Sequence, residues 1–297
     1  MSNRQLGPIV GATLITSDLQ HVSKSYQQVL GFNLHAQFQV TEELALLWQS
    51  PKLEEANLHV LASSDGNSWL RIVEDNSAKP AMPLKSHGWM SLETNVGNVD
   101  SLRKRFTDER FTIIGEPAYL QVSDAIKAMQ VIGPAGEVSY LTQIEREVPP
   151  FELPMTNAET AGLFIPVLAT PDRDKSLDFY QTLNAADQGL KFDTKVSVLN
   201  NAWRQELEHQ YPVATLQLDG KCLFEIDQVA QASAIVSNEN GLPSGIGLIT
   251  CVTKNIDAIA KRFNSNIHLI NDDYYPGTKV LLLKGPAGEF IELVEAS

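Results

Sequence analysis

Three blocks of sequence occur twice in this chain, in the same order, and that duplication constrains the fold more than any other feature. Ser17-Asp18-Leu19-Gln20-His21-Val22-Ser23-Lys24-Ser25-Tyr26 returns as Pro171-Asp172-Arg173-Asp174-Lys175-Ser176-Leu177-Asp178-Phe179-Tyr180, with Asp and Tyr both displaced by 154 residues. Asn98-Val99-Asp100-Ser101-Leu102-Arg103-Lys104-Arg105-Phe106 returns as Asn255-Ile256-Asp257-Ala258-Ile259-Ala260-Lys261-Arg262-Phe263, displaced by 157. Gly133-Pro134-Ala135-Gly136-Glu137 recurs unaltered as Gly285-Pro286-Ala287-Gly288-Glu289, displaced by 152. The join falls at Val148-Pro149-Pro150-Phe151-Glu152-Leu153-Pro154. This predicts an N-terminal domain over 1–147, a proline-rich linker over 148–158 and a C-terminal domain over 159–297.

Each half divides again. An apolar run from Ile9 to Thr16 leads into a helix with Leu19, Val22, Tyr26 and Leu30 on one face, Asp18 as N-cap and Gly31 as C-cap. Strand-like runs follow over Phe32–Val40, Leu44–Trp48, Leu58–Ala62 and Trp69–Glu74. A second unit starts at Trp89, with a helix from Val99 to Phe106, and ends at Val138–Thr142; the second half repeats both units around helices near Asp172–Leu183 and Ile256–Phe263. The fold class is therefore α+β, built from four strand-helix-strand-strand-strand (βαβββ) modules. Gly-Pro-Ala-Gly sits between strands, so it reads as a turn with Pro at its second position and not as a phosphate cradle.

Composition narrows the partners. With 23 Lys+Arg against 36 Asp+Glu the net charge is −13, which repels phosphate backbones and anionic lipid, so neither nucleic acid nor membrane is an expected partner. No apolar run is long enough to span a bilayer and the first residues are too polar for a signal-peptide core. Cys222 and Cys251 alone exclude a disulfide scaffold and fit a reducing cytoplasm.

Four such modules, closed by the Gly-Pro-Ala-Gly-Glu turn and the strand Phe290-Ile291-Glu292-Leu293-Val294, resemble the vicinal oxygen chelate superfamily: glyoxalase I, extradiol dioxygenases, fosfomycin-resistance enzymes and bleomycin-binding proteins. The resemblance runs from about Ile9 to Glu295. It implies modules paired into two glyoxalase-like domains, each an eight-stranded cupped sheet with its substrate in the cup. In such proteins metal ligands stand on the first and last strands of a module, as His or Gln and as Glu. Those positions correspond here to Gly11, Ser91, Ile165 and Leu248 on first strands, and to Arg71, Tyr140, Glu225 and Glu292 on last strands. Only Glu225 and Glu292 of that set can ligate a metal, and shifting the register by two residues adds no His, Asp, Glu or Cys near Gly11, Ile165 or Leu248. No cofactor is therefore expected, with a divalent metal left open on Glu292 and Glu225 together with further ligands.

With each half closing its own cup, the N-terminal cup collects Arg71, Ser91, Glu93 and Tyr140. Strand alternation places His87, Trp89, Ser91, Glu93 and Asn95 on one face. Glu93 needs a partner there, for which Arg71 is a candidate. The C-terminal cup collects Glu225 and Glu292, which raise one another's pKa if adjacent. Trp48, Trp69, Trp203 and Phe151 are possible cup linings, and the loop Asp272-Asp273-Tyr274-Tyr275-Pro276-Gly277 a possible cover.

These residues suit proton abstraction beside a carbonyl: Glu93 as base, Arg71 and Tyr140 holding the oxyanion, and Ser91, His87, Trp89 and Gln130 contacting a small organic substrate. The expected activity is a metal-independent isomerase or lyase. The alternatives are a sequestering small-molecule binder and a metal-dependent lyase or dioxygenase with atypical ligands. The expected state is a cytoplasmic monomer or homodimer.

Overall fold

The computed structural model describes residues 3–66, 69–120, 123–185, 188–272 and 275–296. Module 1 consists of β1 (Leu6–Thr16), α1 (Leu19–Leu30), β2 (Asn33–Gln39), α2 (Glu42–Leu47), β3 (Asn57–Ala62) and β4 (Trp69–Glu74). Module 2 consists of β5 (Gly88–Asn95), α3 (Val99–Arg103), β6 (Thr112–Leu120), β7 (Ser123–Ile132) and β8 (Val138–Ile144). Module 3 follows as β9 (Leu163–Thr170), α4 (Arg173–Asn184), β10 (Leu190–Thr194), α5 (Ser197–Trp203), β11 (Tyr211–Gln217) and β12 (Leu223–Gln228). Module 4 closes the chain with β13 (Gly245–Thr253), α6 (Ile256–Phe263), β14 (His268–Ile270), β15 (Thr278–Lys284) and β16 (Phe290–Glu295).

An Asp or Asn at the head of the first two repeated blocks starts each of four helices. Asp18 and Asp172 accept the backbone N–H of His21 and Lys175, while Asn98 and Asn255 accept those of Ser101 and Ala258, satisfying donors that a first helical turn leaves free. Gly31 ends α1 at φ +72, a left-handed conformation that suits glycine. One predicted strand is a helix. Leu44 to Trp48 lies largely in α2, where Thr41 caps the first turn, Glu42 and Glu43 complement its dipole, and Leu44, Ala45 and Leu47 are buried.

The modules pair across the halves, not within them. One sheet runs β14-β15-β16-β13-β1-β4-β3-β2 and joins modules 1 and 4; the other runs β10-β11-β12-β9-β5-β8-β7-β6 and joins modules 2 and 3. The seams are the antiparallel pairs β1–β13 and β5–β9. This corrects the expectation that 1–147 and 159–297 each close a cup. All four modules present the same first-strand edge, so repetition alone leaves the pairing open.

The two remaining repeated features connect modules of the same half. The Tyr26 hydroxyl on α1 donates to Glu137 Oε1 at 2.6 Å, and Tyr180 on α4 donates to Glu289 Oε1 at 2.7 Å. Each glutamate's Oε2 also accepts a backbone N–H within its own turn, from Ala135 or Ala287, at 2.9 Å. A Cβ at Gly133 or Gly285 would stand 1.8 or 1.9 Å from the glutamate Oε1, which is why the turn opens on glycine. Gly-Pro-Ala-Gly-Glu is thus a turn whose last side chain fastens one module to its neighbour.

Candidate functional site

Two cups result, and the equivalent strand positions carry opposite chemistry. In the module 1–4 cup the inward positions are Thr13 beside Arg71 on β1 and β4, and Thr250 beside Glu292 on β13 and β16. The first-strand positions lie two residues beyond Gly11 and Leu248. A Cβ at Gly11 would stand 2.3 Å from the Trp69 ring, so Gly11 makes room for that indole. Arg71 and Glu292 are both fully buried and pair at 2.6 Å. Arg71 Nε donates to Thr13 Oγ1 at 2.9 Å. Glu292 Oε1 accepts from Thr250 at 2.8 Å and from Tyr275 at 2.7 Å, and Oε2 accepts the Trp48 indole N–H at 2.8 Å. The guanidinium carbon lies 4.6 Å from the Trp69 ring, 4.9 Å from that of Trp48 and 5.6 Å from that of Tyr275, within cation–π range. This cup is filled by its own side chains. Tyr275 comes from the loop proposed as a cover; Asp273 and Tyr274 lie outside the described residues.

The module 2–3 cup is lined differently. Glu93 on β5 stands beside Tyr140 on β8, and Val167 on β9 stands beside Glu225 on β12. Ser91 also pairs with Val167, and Asp227 lies two residues beyond Glu225 on the same face. Phe224, by contrast, packs with Trp89 and Tyr180 on the helix side. Glu93, Tyr140 and Glu225 retain partial solvent contact, whereas Ser91 and Asp227 are fully buried. The Thr142 hydroxyl donates to Glu93 Oε2 at 3.0 Å.

Confining acids together makes their charges expensive. Burial, and then the charge of Glu225, push Glu93 up to about 8 despite the Thr142 hydrogen bond. Burial pushes Glu225 up to about 7. Asp227 lies well above the usual carboxylate range through burial, then Glu225, then Glu93. Tyr140 rises through burial and the charges of Asp227, Glu225 and Glu93. Glu93 and Glu225 therefore exchange protons across neutral pH, and the charge of each acts on Asp227 as well.

The expected catalytic trio does not assemble: Glu93 and Tyr140 are strand neighbours, but Arg71 belongs to the other sheet and is engaged by Glu292. Glu225 and Glu292 are likewise in different sheets. Trp89 and Ser91 do not share a face, because a bulge after Trp89 pairs it with Leu168 and Ser91 with Val167. The Trp89 N–H donates to the Phe290 carbonyl at 2.7 Å. Trp89 and His87 instead line a cavity of about 290 Å³ between the crossovers 79–90 and 234–246. His87 is tied to the second crossover through the Ser233 and Val229 carbonyls. Gln130 pairs with Tyr140 on the cup side of β7, its amide lying over Gly115. Asp227 was missed. Its signal was present in Leu223-Phe224-Glu225-Ile226-Asp227, where two acids alternate with two large apolar residues.

Residues 6–119 match the Glyoxalase/Bleomycin resistance protein/Dioxygenase superfamily. The match covers module 1 and module 2 as far as β6. Among solved structures the chain is similar in fold to glyoxalase I from Zea mays, with 16% identity over 97% of this chain and 92% of that one and a TM-score of 0.59. A putative dioxygenase from Bacillus subtilis gives 11% identity, 98% and 86% coverage and a TM-score of 0.64. The cppA protein of Streptococcus pneumoniae gives 11%, 98% and 100%, and 0.52. No curated protein sequence matches it. At these identities the likeness establishes the fold and leaves the chemistry to the residues.

A mixed His and carboxylate metal set is not assembled among the described residues. Glu292 is committed to Arg71, Thr250, Tyr275 and Trp48, and the other cup offers carboxylates and a phenol without imidazole. Among the described residues no three His, Cys, Asp or Glu side chains stand close enough to share an ion.

Proposed function

We propose that the module 2–3 cup is the active site of an isomerase or lyase that moves a proton beside the carbonyl of a small organic substrate without a protein-held metal. One observation supports this above the rest: Glu93 and Glu225 face one solvent-reached cup with pKa values raised to about 8 and about 7. A pair poised there holds about one proton between its members near neutrality, so one carboxylate takes the substrate proton while the other returns one. Glu93 is the base in this reading, acting in the form in which it is ionised and Glu225 holds the proton. Tyr140, beside it and kept protonated, donates a hydrogen bond to the developing oxyanion. Arg71 has no part in the reaction, and Ser91 with Gln130 contacts substrate. The two cysteines are free and buried, consistent with a reducing cytoplasm. No described helix is long and apolar enough to cross a membrane.

Exchange of α-protons for deuterium in small ketones, followed by NMR, tests the reading. Glu93→Gln should slow exchange by about 10²- to 10⁴-fold, the range for a general base. The wild-type rate should be bell-shaped, falling on the acid side as both carboxyls protonate and on the alkaline side as both ionise. A sequestering protein would give no catalysed exchange in any variant.

A further inference from the structure

The module 2–3 cup gathers three carboxyl groups, Glu93, Glu225 and Asp227, in surroundings that make any negative charge there costly. Both carboxylate oxygens of Asp227 are buried without a hydrogen-bond partner. Ser91 Oγ, inward on the neighbouring line of the sheet, is also buried and unpartnered. Among the described residues the charges acting on Glu93 and Asp227 are those of other carboxylates, with no basic side chain among them. The module 1–4 cup shows what balance looks like: Glu292 has a guanidinium, two hydroxyls and an indole N–H. Leaving a buried carboxylate without cation or donor is unfavourable, and a bound ligand relieves it.

The shape of the deficit indicates the ligand. Glu225 and Asp227 are alternate residues of one strand, roughly 7 Å apart along it. Among the described residues no three acidic, His or Cys side chains stand close enough to hold a divalent ion. A group carrying several N–H donors suits these atoms, since ionised carboxylates only accept and Ser91 Oγ has free lone pairs. Ile165, Val167 and Val213 alternate with these groups and offer apolar walls for a carbon stem.

We propose that this cup binds a small organic cation, a protonated primary amine or guanidinium on a short carbon chain, seated on Asp227 and Glu225 with Ser91 as a further acceptor. The proposal deepens the proton-transfer reading and rests on it for the rest of the ligand: the same molecule carries a carbonyl toward Glu93 and Tyr140.

Calorimetric titration of the full-length protein with butylamine, 1-butanol and butyrate tests the charge requirement. Butylammonium should bind at least about tenfold tighter than 1-butanol, with butyrate weakest. Asp227→Asn keeps the side-chain volume and removes the charge, and should weaken butylammonium about tenfold while leaving 1-butanol unchanged. Absence of butylammonium binding, equal binding of 1-butanol, or unaltered affinity in Asp227→Asn overturns the proposal. Deuterium exchange on 4-aminobutan-2-one and butan-2-one separates it from the reading beneath. Cation binding with neither ketone exchanging faster leaves the cation site and removes the proton transfer. Equal acceleration of both ketones without butylammonium binding does the reverse.

Discussion

The two cups share one scaffold and differ at four strand positions. Thr13, Arg71, Thr250 and Glu292 occupy one; Glu93, Tyr140, Val167 and Glu225 occupy the other. In the first, one cation and one anion cancel inside an aromatic box and exclude water. In the second, acids repel one another in contact with solvent. The curl of the sheet supplies only a concavity. Whether that concavity is a structural plug or a reactive site depends on whether its charges are balanced from within. The two cups therefore predict opposite responses to mutation and to pH.

The largest effect should come from breaking the balanced cup. Glu292→Leu strands a buried guanidinium and Arg71→Met strands a buried carboxylate, so each should cost about 3–5 kcal/mol. The double variant should recover most of that loss, because an apolar pair of similar volume removes both desolvation penalties together. Urea unfolding of the four proteins measures the cycle. A single variant as stable as wild type would show that the ion pair is not what fills this cup. Deuterium exchange at the other cup should be unchanged in any variant that folds.

How far the sequence anticipates this contrast depends on what each inference needs. The module count and the capping Asp and Asn residues follow from local pattern: repeats, amphipathic spacing and helix-start chemistry are properties of short segments. Which modules share a sheet is a long-range property, and it decides that Arg71 meets Glu292 and not Glu93. Glu93 beside Tyr140 was legible because adjacent strands within one module keep their register. The helix at Glu42–Leu47 was not, since a five-residue apolar run carries no decisive period. The bulge after Trp89 was equally invisible, and that one extra residue changed which face Trp89 uses.

The unbalanced cup should respond to pH in a direction opposite to that of ordinary carboxylates. Glu93, Glu225 and Asp227 all have folded-state pKa values above their unfolded ones. A raised carboxyl pKa gives stability that is fully present below the unfolded value and lost as pH rises through the folded one. Stability should therefore decline between about pH 5 and 8 on this account. The surface pairs with lowered carboxyl pKa, such as Asp174, pull the other way but are exposed and screened. Asp227→Asn should flatten the decline, because an amide does not titrate. Thermal melts across that range read it directly, and an unchanged slope in Asp227→Asn would mean that the aspartate is already balanced.

The smallest effect concerns the hydrogen bonds that tie a module of one cup to a module of the other. Tyr26, from the balanced cup, donates to Glu137, from the acidic one; Tyr180 and Glu289 reverse the direction. Tyr26→Phe leaves Glu137 with one fewer donor and should cost about 0.5–1.5 kcal/mol. The cost should depend on pH. Burial already pushes Glu137 up to about 7, and the Tyr26 hydrogen bond pulls it down by favouring the ionised form. Removing the hydroxyl raises Glu137 further, so the stability difference between Tyr26→Phe and wild type should widen as pH rises through about 7. Tyr180→Phe should widen in the same direction, because burial raises Glu289 as well. Unfolding curves of both variants on either side of neutrality test this. If either difference is flat with pH, the turn glutamate is not ionising in the folded protein, and its hydrogen bond joins the cups as a neutral contact.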